Sequence, residues 1–392
     1  MRRSIVQIGL AILAGTLALA EGFFPDWLPL LTELGPIAGE GGKMGVTLFV
    51  GHASLGQNVQ SRPLSVWGGK SQHAMELAAE GAALAAAAAY LRATGQQPVM
   101  RLFVGRDAGG KIATAEIEKA FLGAKCLAVS AATAMSIRMP GEKGGDVRLQ
   151  SAAQRLDIDQ AKHELDPVWS KDLNQVVIGP LEASDHELLV YLLREAKQKG
   201  LRTFWLPSRS QILDRRRTLE ALRTRVDVVQ LSESDLTRLS DCGTPVAAIN
   251  RLRDLGVTAT ILCTRNDKGV VAFDGRNWST QPHFLSNSTG QAALELDWSD
   301  TFAGTMAGWL EPQGKRQLKP GLRLAVAAAA MGPKAKVEGW KSLELWSSGR
   351  QEIRPLVRPI ETVWSQWIAP LALTIAVLLA MGMGALLSRA FV

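Results

Sequence analysis

The chain has 392 residues, 47% of them hydrophobic and 21% charged, enough apolar material for a substantial core. Its net charge of +7 is spread over interleaved Lys, Arg, Asp and Glu, and no basic tract carries stacking aromatics, which argues against a nucleic-acid partner. Cys126, Cys242 and Cys263 lie far apart without CxxC spacing, and the five histidines form no HxxxH or HExxH pair. Neither a disulfide framework nor a histidine metal site is encoded, and free thiols in apolar runs are expected.

Residues 1–37 form a hydrophobic N-terminal segment. Met1-Arg2-Arg3 precede an apolar run from Ile5 to Ala20 that ends Ala18-Leu19-Ala20, the pattern of a secretory signal. The run also approaches the ~20 residues that a spanning helix needs. An aromatic stretch, Phe23 to Pro29, follows it. A retained anchor, a cleaved signal and a buried helix all fit these residues.

From 44 to 345 short apolar runs alternate with helical patterns. Val46–Val50 reads as a strand, and an Ala-rich helix from about Gln72 to Thr94 follows Gly68-Gly69. Met100–Val104 is a strand leading to a helix that ends near Leu122, and the polar residues 140–172 fit a surface insertion or flap. Further strands are expected at 175–178, 202–206, 226–231 and 258–263, with helices at 185–199, after 231, and at 245–255. Gly269–Phe273 should pair with the segment after it. Arg215-Arg216-Arg217 lies on an amphipathic helix and reads as a solvated face. The alternation predicts an α/β domain with a mostly parallel sheet, whose ligand sits beyond the carboxyl ends of the strands.

Leu294 to Gly304 reads as a strand that turns sharply into a helix with Asp300 at the turn. That placement suits either a general base aimed at a ligand over the helix N-terminus or a cap for a helix from Thr301 to Leu310. Residues 346–363 form a connector, and 364–389 a transmembrane helix. Trp367 to Leu387 carries no charge, with Trp364 and Trp367 before it and Arg389 after. Ala372, Ala376, Ala380, Gly384 and Ser388 recur every four residues, a small-residue face suited to an integral membrane partner or a second copy. The orientation signals conflict. Arg2 and Arg3 before the first segment, with Glu21 and Asp26 after it, place the main domain outside; Arg350, Arg354 and Arg358 before the last helix place it inside. The first segment usually takes precedence and favours the non-cytoplasmic face, whereas unpaired cysteines and a nucleotide-type fold point the other way.

Several blocks occur in an order that resembles the ribokinase (PfkB-type carbohydrate kinase) family: Gly51 after the first strand, Gly68-Gly69 with His73, Val104-Gly105-Arg106-Asp107, Ser232 with Asp235, Thr264 with Gly269, and Ser299-Asp300. The resemblance implies a ribokinase-like fold. Gly68, Gly69 and His73 would face a sugar, Thr264, Gly269 and Ser299 the nucleotide and phosphate, and Asp235 would organise Mg²⁺. Asp300 would be the base, and ATP with Mg²⁺ the cofactors of an active enzyme. The chain departs from the pattern at three places: Gly56 stands where the family has a sugar-binding aspartate, Asn266 where the nucleotide turn has glycine, and Asp297-Trp298-Ser299 where a Gly-Ala-Gly run cradles phosphate. These departures imply a degenerate, non-catalytic member needing no cofactor and acting as an accessory or scaffold subunit at the membrane. An active membrane-tethered sugar or nucleoside kinase and a small-molecule sensor are the alternatives.

Overall fold

The computed structural model describes residues 46–61, 73–121, 123–140, 146–151, 155–170, 172–265, 268–284, 295–310, 317–331 and 339–348. The segments 1–37 and 364–389, and with them the small-residue face from Ala372 to Ser388, lie outside these residues. Among the described residues no helix is long and apolar enough to cross a membrane.

The chain enters a central strand β1 (Val46–His52) and passes into a small sheet through β2 (Ser54–Ser61) and β3 (His73–Glu80). It returns through helix α1 (Ala82–Thr94), β4 (Val99–Gly105), α2 (Ala108–Ala120) and β5 (Ala124–Ser130). It then visits the small sheet again in β6 (Ala134–Pro140) and β7 (Asp146–Gln150). From α3 (Ile158–Leu165) the elements alternate: β8 (Leu173–Ile178), α4 (His186–Gln198), β9 (Arg202–Trp205), α5 (Arg209–Leu213), α6 (Arg215–Thr224), β10 (Val228–Ser232), α7 (Glu233–Ser240), α8 (Pro245–Asp254) and β11 (Thr260–Thr264). An antiparallel pair, β12 (Val270–Phe273) and β13 (Trp278–Gln281), closes one edge, and α9 (Glu295–Leu310), α10 (Leu318–Met331) and α11 (Gly339–Ser348) follow.

The nine-stranded sheet runs β13-β12-β11-β10-β9-β8-β1-β4-β5, parallel from β11 to β5. Strand residues with a period of two supply its two faces. Leu48, Val50, Val176, Ile178, Ile261 and Cys263 point into a core with α3 to α8. Phe49, Val177 and Leu262 point into a second core with α1, α2, α9 and α10. Helices on both faces are what near-continuous apolar strands demand. α9 lies against α1 so closely that a Cβ on Gly304 would run into the Ala86 carbonyl, and the Ala-rich face of α1 is what makes this approach possible.

The second, four-stranded sheet has the order β3-β2-β6-β7. It corrects two expectations. The Ala-rich helix begins at Ala82, not Gln72, because His73–Glu80 pairs antiparallel along the whole of β2. Pairing outweighs the helix preference of Met-Glu-Leu-Ala-Ala-Glu, and Gly81, at φ 160°, ends the strand. Residues 140–172 are likewise no simple insertion: β7 completes the small sheet, and Ile158, Ala161 and Leu165 of α3 are buried in the core. Asp107 anchors this sheet to the main one. Its carboxylate caps α2 through Gly110 N–H at 2.8 Å and accepts from Thr133 Oγ1 at 2.7 Å and Thr133 N–H at 3.0 Å. The Thr133 hydroxyl, with these backbone donors, holds its pKa below the usual carboxylate range. Cys126, Cys242 and Cys263 are free thiols, and burial pushes Cys263 up to about 12.

Candidate functional site

From β1 the chain moves through β4 to β5 on one side, and later through β8, β9 and β10 to β11 on the other. Ligands of such sheets lie at the carboxyl ends of the strands, near this reversal. His52 ends β1 there. Its Nε2 is 3.3 Å from Oδ2 of the fully buried Asp185, and its ring meets Phe103 edge-on at 5.8 Å. Asp185 also accepts from Leu156 N–H at 3.3 Å, holding the segment that leaves the small sheet. Three residues earlier Glu182 accepts from Ser210 Oγ at 2.7 Å.

Gly56 lies in β2, within the small sheet, opposite Ala78 of β3 and Ser136 of β6. The place a side chain there would occupy is not empty. A Cβ at Gly56 would run into the Glu80 carboxyl group, which crosses diagonally from β3 to accept from Ser136 Oγ at 2.6 Å. The space beside position 56 is thus occupied by a carboxyl group from the neighbouring strand. His73 lies at the opposite end of β3, paired with Ser61, about 23 Å along the strand from Glu80. Gly68 and Gly69 lie outside the described residues. Gly51 is inside β1 rather than in a loop after it.

A second set of candidate residues lies along β10 and β11. Ser232 pairs with Thr264 across these strands. Ser232 Oγ donates to Asp235 Oδ2 at 2.6 Å and accepts from Asp235 N–H at 3.1 Å, an N-cap for α7. Thr264 Oγ1 donates to Leu231 O at 3.4 Å. Arg265 N–H donates to the Gly269 carbonyl at 2.8 Å and closes the turn, and Gly269, at φ 87°, has the left-handed backbone that favours glycine. Asn266 lies outside the described residues. Among the described residues no three His, Cys, Asp or Glu side chains converge as metal ligands.

Here the structure departs from the sequence expectation at Asp300. Helix α9 begins at Glu295, so Asp300 sits half-buried in its second turn, neither at a turn nor at the cap. The physical reason is the loss of glycine: Glu-Leu-Asp-Trp-Ser continues the helix backward, where a glycine run would break it. The amides of Ser299 and Asp300 are consequently spent within the helix ladder. Trp298 is buried and stacks on Phe302, one turn on, at 5.6 Å with planes 2° apart, and on His283 at 5.5 Å. Gln230, from the middle of β10, donates to the Ser299 carbonyl at 2.9 Å and hydroxyl at 2.8 Å. Gln230 Oε1 and Trp298 Nε1 are among the polar atoms buried without a hydrogen-bond partner within the described residues. Amides already engaged, an indole face and a side-chain crosslink do not fit a transferred phosphate.

The sequence pattern singles out Asp107, Asp235, Thr264 and Gly269. Glu80, His52, Asp185 and Gln230 carry no local motif and meet their partners Ser136, Asp185, His52 and Ser299 only in the folded chain.

The fold is that of ribokinase-like carbohydrate kinases. No protein-family model and no curated protein sequence matches the chain, but solved structures do. Escherichia coli phosphofructokinase-2 in complex with fructose-6-phosphate is similar at 15% identity and a TM-score of 0.61, over 78% of this chain and 98% of that one. Arabidopsis thaliana ribokinase complexed with ribose and ATP is similar at 17% identity and a TM-score of 0.58, over 77% and 98%. Thermotoga maritima ribokinase is similar at 14% and 0.57, over 78% and 100%. Identities this low speak to fold alone.

Proposed function

We propose that this chain is a ribokinase-like protein that has ceased to transfer phosphate and acts through binding, as an accessory or scaffold subunit held at a membrane by residues 364–389. One observation carries the reading: α9 starts ahead of Asp300, so the amides and space that a phosphate would need are taken by helix hydrogen bonds and the Trp298 ring. Asp300 then serves the fold of α9 rather than proton transfer. The small-residue face from Ala372 to Ser388 supports a membrane helix partner or self-association.

The test is phosphoryl transfer by the full-length chain from ATP with Mg²⁺ to a panel of sugars and nucleosides, together with calorimetry for nucleotide. Neither turnover nor nucleotide binding at millimolar concentration is expected, and Asp300→Asn should behave as the parent does. Turnover abolished by Asp300→Asn would overturn the proposal in favour of a kinase. Extraction in mild detergent should yield an assembly larger than a monomer; a lone monomer would sink the scaffold role.

A sensor is the second reading, favoured by the residues at the β1 end. Glu80, Glu182 and the His52–Asp185 pair leave carboxylates near the sheet reversal, where a polar small molecule could bind without chemistry. A thermal-shift screen of sugars addresses it, with stabilisation lost in Glu80→Ala.

A further inference from the structure

Residues 209–224 carry five arginines and two acids. α6 buries Thr218, Leu219, Ala221 and Leu222 and turns its arginines outward. Asp214 partly neutralises Arg217 at 3.4 Å, and Arg215 donates to the Ser240 carbonyl at 3.5 Å. Arg209, Arg216 and Arg223 are exposed and make no ion pair or hydrogen bond among the described residues. Between them Leu213 leaves 62% of its surface in solvent. Lys197 of α4 joins the same face by donating to Thr224 O at 3.2 Å.

From this face we infer that α5 and α6 dock against an anionic lipid surface, with the arginines on headgroups and Leu213 in the interfacial layer. The pairing of free positive charge with one exposed aliphatic residue fits a bilayer interface. A purely acidic protein surface would leave Leu213 unused. This inference rests on the membrane anchor proposed above. The 18 residues from 349 to 366 separate α11 from the charge-free stretch. They reach roughly 60 Å when extended, against a radius of gyration of about 19 Å for a domain of this size. The anchor would therefore hold the arginines near the surface at high effective concentration.

Each arginine near such a surface raises the docked-to-free ratio about five-fold, so removing three should lower it about a hundred-fold. The experiment reconstitutes the full-length chain into nanodiscs of phosphatidylcholine alone or mixed with phosphatidylglycerol and follows hydrogen exchange across 209–224. Slower exchange only in the anionic discs, reversed by high salt and absent in Arg209→Gln/Arg216→Gln/Arg223→Gln, is the expected result. Equal exchange in both discs overturns the docking surface while leaving the anchor intact. A chain retained by neither disc removes the anchor. The same protein is then mixed with phosphatidylglycerol vesicles, where co-sedimentation lost in the triple variant supports docking and its absence in the parent overturns it.

Discussion

The β1 and β10 ends of the candidate site differ in what fills them. At the β1 end, the polar side chains Glu80, Glu182, His52 and Asp185 are held by hydrogen bonds from neighbouring strands and loops. At the β10 end the space is taken by rings and by a helix that begins early. One end of the sheet is thus packed with rings while the other keeps polar contacts. The β10 end is also tied into the scaffold, because Trp298 and Phe302 belong to the core that the sheet shares with α1, α9 and α10.

The comparison breaks most forcefully at Trp298. Trp298→Ala removes a buried indole stacked on two rings and should cost about 3–5 kcal/mol, read as a lower urea midpoint. A cost below about 1 kcal/mol would mean that the ring only covers the surface. Gly304→Ala comes next, at about 1–3 kcal/mol, because the Ala86 carbonyl belongs to a helix backbone and cannot step aside. Ala86→Gly should not rescue it, since the obstacle is main chain.

On the opposite side, Asp107→Ala should cost about 0.5–2 kcal/mol through the lost cap. Because the folded-state pKa of Asp107 is depressed, its contribution is full above about pH 4 and fades as pH falls through the lowered value. Asp107→Asn should therefore flatten part of the acid limb of the stability profile, and an unchanged limb would contradict this. Gln230→Leu should have the smallest effect, within about 1 kcal/mol, since it loses a hydrogen bond to Ser299 but also removes an unpartnered buried oxygen. A large loss would show that the crosslink holds α9 in place.

Much of the fold was legible in the sequence because parallel strands buried on both faces write themselves as apolar runs: Val176 to Ile178 and Thr260 to Cys263 fall where the pattern put them. The small sheet was not legible. His73–Glu80 has a helix former's composition and becomes a strand through its partner β2, which no local rule reports. The site divided likewise. Asp107, Thr264 and Gly269 announce themselves by turn chemistry, whereas Glu80 acquires its meaning only once register sets it over Gly56. At Asp300 the sequence suggests a turn, whereas the Glu295–Ser299 stretch, with no glycine to break it, coils into the helix.

The crossing of Glu80 over Gly56 also couples two positions. They share one volume, so what stands in β2 decides where the β3 carboxyl group can rest. The obstacle is the end of a flexible side chain, so a larger residue at position 56 would displace the Glu80 carboxyl group and cost its hydrogen bond from Ser136 rather than the pairing of β2 with β3.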